Sequence, residues 1–243
     1  MIPKSLLSVL LALVLAWVAT ARSETLYETG FEEFTPGEIH EQNDWSANYG
    51  TETALCTIVA SDAAPLAAAG GSQMLHLIRP SAGSVPATGI IFHRDPKPLL
   101  NFTVEFEMAY EAKTDFPLFQ FQIGSAADSE SGVRVGIGFF EETKASRLFQ
   151  VYHGHGSERT PVPAPESREA LPTEPLVFYH FTLRLHGDGH LYDLSVRHDG
   201  KVIAAVKDQS VPWAAKNYNR LIISLPGGSR DDQLFFDQLK IAE

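Results

Sequence analysis

Four segments in the middle of the chain alternate apolar and polar residues, and their polar rows carry the groups that could do chemistry. Thr103, Glu105, Glu107 and Ala109 oppose Val104, Phe106, Met108 and Tyr110. Gln120 and Gln122 oppose Phe119, Phe121 and Ile123; Arg134, Gly136 and Gly138 oppose Val133, Val135, Ile137 and Phe139; Leu148, Gln150 and Tyr152 form one row of the next segment. Residues two apart on a strand share a face. If these strands are neighbours in one sheet, Glu105, Glu107, Gln120, Gln122, Arg134, Gln150 and Tyr152 line a single surface. Carboxylate, carboxamide and guanidinium groups make planar, multidentate hydrogen bonds suited to sugar hydroxyls, Tyr152 adds a stacking surface, and the glycines leave room for a ligand. An ordinary solvated sheet face is the other reading of the same alternation.

Two kinds of catalysis could be built from such a face. Glu105 and Glu107 stand roughly 7 Å apart along a strand, and carboxylates about 5–10 Å apart can serve as acid plus nucleophile or base on a glycosidic bond. Tyr152, His153, Arg134 and Gln120 instead supply the residue types of a polysaccharide lyase, a Tyr or His base beside groups that neutralise a uronate. His153 and His155 offer two nitrogens to zinc, one short of a catalytic ligand set. Trp45 and Trp213 are read as core or rim packing, with stacking on a sugar ring as the alternative. His186 and His190 flank a hairpin and are expected in solvent. The sequence holds no phosphate-cradling glycine loop, no Cys-x-x-Cys and no Gly-x-Ser-x-Gly.

Strands must position these groups, because helical periodicity is almost absent while period-two alternation recurs between turn residues. Twelve strands are predicted, at 25–31, 73–78, 90–93, 102–110, 118–124, 133–140, 148–153, 178–186, 190–197, 202–206, 220–225 and 234–241. They make the chain all-β, a sandwich or barrel, and about a dozen suits a two-sheet antiparallel jelly roll. Gly187-Asp188-Gly189 and Asp199-Gly200 supply the positive φ of tight hairpin turns. Residues 154–175 carry five prolines and are expected to form a long loop without its own core, either bordering a groove or merely decorating the edge. Residues 61–72 are expected to form a simple crossover loop.

Lys4, an apolar run over residues 6–18 and Ala19-Thr20-Ala21 have the layout of a secretory signal peptide. Cleavage is expected after Ala21, leaving residues 22–243 as one exported domain, secreted, periplasmic or at the cell surface, and not inserted in a membrane. With 19 Lys+Arg against 30 Asp+Glu the formal charge is −11, which repels a nucleic-acid backbone or an anionic membrane surface. The lone Cys56 permits no internal disulfide, so stability must come from a buried core. Its apolar setting predicts a buried thiol.

Several short stretches together resemble the concanavalin A-like lectin/glucanase superfamily, in particular the laminin-G-like jelly rolls of secreted bacterial proteins. They are Tyr27-Glu28-Thr29-Gly30-Phe31-Glu32, Gly37 and Trp45, Gly71 to Leu77, Leu191 to Val196 with Asp199-Gly200, and Phe235-Phe236-Asp237-Gln238-Leu239-Lys240-Ile241. The resemblance implies a jelly roll of lectin, adhesion, hydrolase or lyase type, and a structural calcium held where the first and last strands meet, at Glu32 and Asp237. Asp237 shares its parity with Phe235, Leu239 and Ile241, so if that row faces the core the carboxylate points inward and needs a partner. The glucanases of this superfamily carry a Glu-x-Asp-x-Glu strand, whereas Glu105-Phe106-Glu107-Met108-Ala109 lacks the central Asp and the last Glu. The signatures of jelly-roll alginate lyases are absent as well. The expectation is therefore a non-catalytic, carbohydrate-binding domain, with a polysaccharide-degrading enzyme or an adhesion domain for a protein partner as the alternatives.

Overall fold

The computed structural model describes residues 24–47, 55–79, 85–91, 98–112, 118–128, 131–139, 147–153, 158–227 and 231–243. The proposed signal peptide lies outside them. Among the described residues sixteen strands follow one another: β1 (Thr25–Thr29), β2 (Gly37–Glu38), β3 (Trp45–Ala47), β4 (Cys56–Ala60), β5 (Gln73–Arg79), β6 (Ala87–Ile91), β7 (Phe102–Glu111), β8 (Leu118–Gly124), β9 (Val133–Phe139), β10 (Arg147–His153), β11 (Glu158–Pro161), β12 (Tyr179–His186), β13 (Leu191–His198), β14 (Lys201–Ser210), β15 (Arg220–Gly227) and β16 (Asp232–Ala242). All twelve expected strands are present. The four that alternation did not mark are β2, β3, β4 and β11, of which three have four residues or fewer.

The strands pair antiparallel into two sheets. The first runs β14-β13-β12-β7-β16-β5-β4-β2, with β1 sharing the edge of β16 beyond β5; the second runs β11-β10-β9-β8-β15-β6-β3. Alternate residues of each turn inward and interleave. Phe106 of β7 stacks on Phe121 of β8 at 4.3 Å, on Phe181 of β12 at 4.9 Å and on Phe236 of β16 at 5.0 Å, so one ring ties both sheets together. Trp45 is core as well, 1% exposed, edge-on to Phe31 and donating from its indole Nε1 to the Tyr27 hydroxyl. Cys56 is buried, and burial pushes its thiol up to about 12, as expected of an inert core residue. The result is a two-sheet jelly roll, the fold that the sequence resemblance implies.

Three expectations need correction. First, Asp237 does not point into the core. Asp237 pairs with Glu107 but Lys240 pairs with Glu105, so β16 has one extra residue at a β-bulge, where Gln238 takes a φ of 50°. The bulge inverts parity: Phe236, Leu239 and Ile241 join the main core, while Phe235 and Asp237 face the outer side of the first sheet. Second, residues 61–72 are no crossover. They join β4 to its antiparallel neighbour β5 and fold back over that outer side, where Ala64, Leu66 and Ala68 cover Met74, Ala109 and Phe235. Third, the Pro-rich segment is tied down: β11 extends the second sheet, Val162 and Ala164 are buried, and the Pro163 carbonyl accepts from Ala205 N–H of β14. It closes one edge between the two sheets.

Candidate binding face and a carboxylate face behind it

β8, β9, β10 and β15 are neighbours in the second sheet, and their outward residues form cross-strand rows. One row reads Gly89, Ile222, Gln122, Arg134, Tyr152; the next reads Ala87, Ser224, Gln120, Gly136, Gln150. Four of the seven predicted site residues, Gln120, Gln122, Arg134 and Gln150, therefore share one face, that of the second sheet, and the backbone register places Tyr152 in the row of Arg134. Gln122 and Arg134 are directly opposite each other and half-buried. Gln150 is fully buried and its Nε2 donates to the Gly138 carbonyl at 2.8 Å, and Gln120 is nearly so. These two amides brace the floor of the face. Gly136 lies between them because a Cβ there would collide with the Phe119 carbonyl of the adjoining strand. The side chains of Tyr152 and His153, and residues 154–157 with His155, lie outside the described residues.

Glu105 and Glu107 are not on that face. They point outward from β7, in the first sheet, on the opposite side of the sandwich. There His180 of β12 stands between them, its Nδ1 2.9 Å from Glu107 Oε1 and its Nε2 4.0 Å from Glu105 Oε1, with the Thr182 hydroxyl 3.3 Å from the same Nε2. Burial raises the Glu107 carboxyl above its ordinary value, and the His180 contact only partly offsets this. No Asp or Glu occupies any register position of the two rows on the second sheet. A carboxylate pair suited to glycoside hydrolysis is thus absent from the amide and guanidinium rows.

Trp213 lies in the loop before β15. It is 56% exposed, and its carbonyl accepts from the Gly132 N–H at 2.7 Å. Gly132 precedes β9 and closes on Gly124 at the end of β8. Each glycine is two residues from its polar neighbour, Gln122 or Arg134, which is roughly 7 Å along a strand. The Trp213 backbone is therefore tied to the end of a glycine strip that leads to the Gln122 and Arg134 pair. The same long loop places Arg220 opposite Gly124.

Glu32 and Asp237, the carboxylates that the resemblance marks for calcium, hold the same segment of the 61–72 loop and the residue after it. Asp237 Oδ2 accepts from Gly70 N–H and Oδ1 from Gln238 N–H. Glu32 accepts from the N–H groups of Ser72 and Gln73 and from the Ser72 hydroxyl. Burial pushes the Asp237 carboxyl up to about 6 despite its N–H partners from Gly70, Gln238 and Ala69. Beside Glu32, the Oε1 of Gln73 is buried with no hydrogen-bond partner, while its Nε2 donates to the Glu32 carbonyl. The orphaned Gln73 oxygen and the Glu32 and Asp237 carboxylates, which bind neighbouring points of one loop, are hard oxygen donors. The residues present fit such an ion in type.

A second group with metal-ligand chemistry was not foreseen. His186, expected in solvent, is half-buried and faces Asp193 and Asp208, and the three side chains could hold a metal ion. Alternation reveals that His186 and Asp193 both face outward, but nothing local in the sequence brings Asp208 to them.

No protein-family model matches the chain, and no curated protein matches it. Solved structures share the fold. A non-specific endo-β-1,3(4)-glucanase of family GH16 superposes with a TM-score of 0.59 at 8% identity, over 92% of this chain and 92% of its own. A Bacteroides ovatus GH16 protein from a mixed-linkage glucan locus, solved with a product, gives 0.56 at 10% identity, over 89% and 99%. A sialidase gives 0.59 at 12% identity over 88% of this chain, which spans only 18% of the sialidase. At these identities the likeness shows the fold alone, a two-sheet antiparallel jelly roll.

Proposed function

We propose that the chain is an exported, non-catalytic carbohydrate-binding domain that holds a glycan along the outer face of the second sheet. The observation that carries this reading is the row of Gln122 and Arg134, on a floor of Gly136 and buried amides, with no carboxylate at any position of the two rows. Such groups can donate to sugar hydroxyls in several directions yet supply no acid and base pair. The glucanase and sialidase neighbours support a carbohydrate as the ligand class, and the exposed Trp213 supplies an apolar platform for a sugar ring.

The test joins binding to turnover. The chain without residues 1–21 is applied to a broad glycan array, and the same preparation is assayed for new reducing ends and for unsaturated-uronate absorbance. Binding without product is the expected result, and Trp213→Ala should weaken it about tenfold, or ~1.4 kcal/mol, without lowering the melting temperature. Product formation would overturn the non-catalytic reading and make Tyr152 the next residue to replace. Silence on every glycan would favour a protein partner.

Calcium at Glu32 and Asp237 is the second part of the proposal, supported by the partnerless Gln73 oxygen and the buried Asp237 carboxylate. An ion bound only by the folded chain stabilises it by about 2.7 kcal/mol at a hundredfold excess over its Kd, a rise of roughly 5–10 °C in Tm for a domain of this size. Chelator should reverse the rise, and Asp237→Asn should abolish it. An unchanged Tm in calcium would sink this part and leave the binding face untouched.

A further inference from the structure

We infer that His186, Asp193 and Asp208 form a binding site for a zinc-class divalent ion at the β12-β13-β14 edge, on the side of the sandwich opposite the proposed glycan face. Three strands contribute one ligand each. His186 ends β12, Asp193 lies near the start of β13, and Asp208 is brought to them by an irregularity in β14. Tyr192 pairs with Gln209 but Leu194 pairs with Val206, so Lys207 and Asp208 together oppose Asp193. Asp208 takes a φ of 50° and its N–H donates to Asp193 Oδ1 at 2.8 Å. This bulge re-aims the Asp208 side chain toward the imidazole.

The spacing is compatible with a metal site. His186 Nε2 is 3.3 Å from Asp193 Oδ1 and 3.7 Å from Asp208 Oδ1, and all three ligand atoms lie within 4.8 Å of one another. A charge-assisted N–H···O bond closes to about 2.7–2.9 Å, and the same chain makes one at 2.9 Å between His180 and Glu107. His186 makes a longer hydrogen bond, at 3.3 Å, to Asp193 and an ion-pair contact at 3.7 Å to Asp208. Tetrahedral zinc with bonds of about 2.0–2.1 Å to nitrogen and oxygen separates its ligand atoms by about 3.4 Å, close to both distances from the imidazole. One nitrogen and two carboxylate oxygens suit zinc or a neighbouring transition ion, whereas calcium takes oxygen alone. Three protein ligands leave a fourth position to water.

The experiment is a zinc titration of the chain without residues 1–21, by calorimetry, repeated with cobalt(II) to read the visible band that a tetrahedral site produces. Wild type should bind one ion in competition with excess calcium. His186→Gln and Asp208→Asn should each weaken binding at least tenfold and remove the tetrahedral band; Asp208 is exposed, so its replacement leaves the fold intact. The exposed His190→Gln variant should bind as wild type does. Absence of zinc binding by wild type would overturn the inference. So would a zinc affinity that survives both ligand substitutions, or one lost in Asp237→Asn.

Discussion

Arg134→Ala is expected to weaken glycan binding about 10- to 100-fold, while Glu105→Gln and Glu107→Gln leave it within a factor of two. Hydrogen bonds from a charged donor contribute about 1.5–3 kcal/mol when both partners leave water, and each 1.4 kcal/mol is tenfold in Kd. Arg134 sits half-buried beside Gln122 in the middle of the second sheet, where a bound sugar would exclude water. The two glutamates lie on the other sheet, engaged with His180, and cannot reach a ligand on the face of Arg134. Affinity measured on the best array ligand, with Tm recorded for each variant, decides the matter. Loss on replacing Glu107 but not Arg134 would move the site to the first sheet.

Phe106→Ala should carry the largest stability cost, about 3–5 kcal/mol. Its ring is fully buried and contacts Phe121 across the sandwich together with Phe181 and Phe236 within its own sheet. No smaller side chain can keep all three contacts, and neighbouring strands held by ladder hydrogen bonds cannot collapse into the void. Urea unfolding followed by tryptophan fluorescence should show the midpoint falling with the slope m unchanged. A loss under 1 kcal/mol would mean that the interior repacks and that this ring is not a keystone between the sheets.

These expectations differ in how much of them was legible beforehand. The inward rows were readable: Phe106, Phe121 and Phe181 alternate with polar residues, and every strand that they predict is present. Hairpins at Gly187-Asp188-Gly189 and Asp199-Gly200 were readable too, because their positive φ values call for those residue types. The candidate face was half legible. Alternation identified Gln120, Gln122, Arg134 and Gln150 as one outward set, yet it added Glu105 and Glu107, which have the same pattern but belong to the other sheet. Trp45 and Trp213 could not be told apart by neighbours in sequence, although one is core and the other is the most exposed large apolar residue described.

Period-two patterning by itself determined that this chain is a sandwich of many antiparallel strands with a Phe-rich interior, because each strand must turn its apolar row away from water whatever its partners are. Only the tertiary structure decided which rows meet. β7 pairs with β16 and β12 rather than with β8, a choice set by contacts more than sixty residues apart. Two bulges then overrode local parity, turning Asp237 away from the core and Asp208 toward His186. A single inserted residue costs little within its own strand and leaves no periodic trace, yet it reverses the facing of the residues that follow.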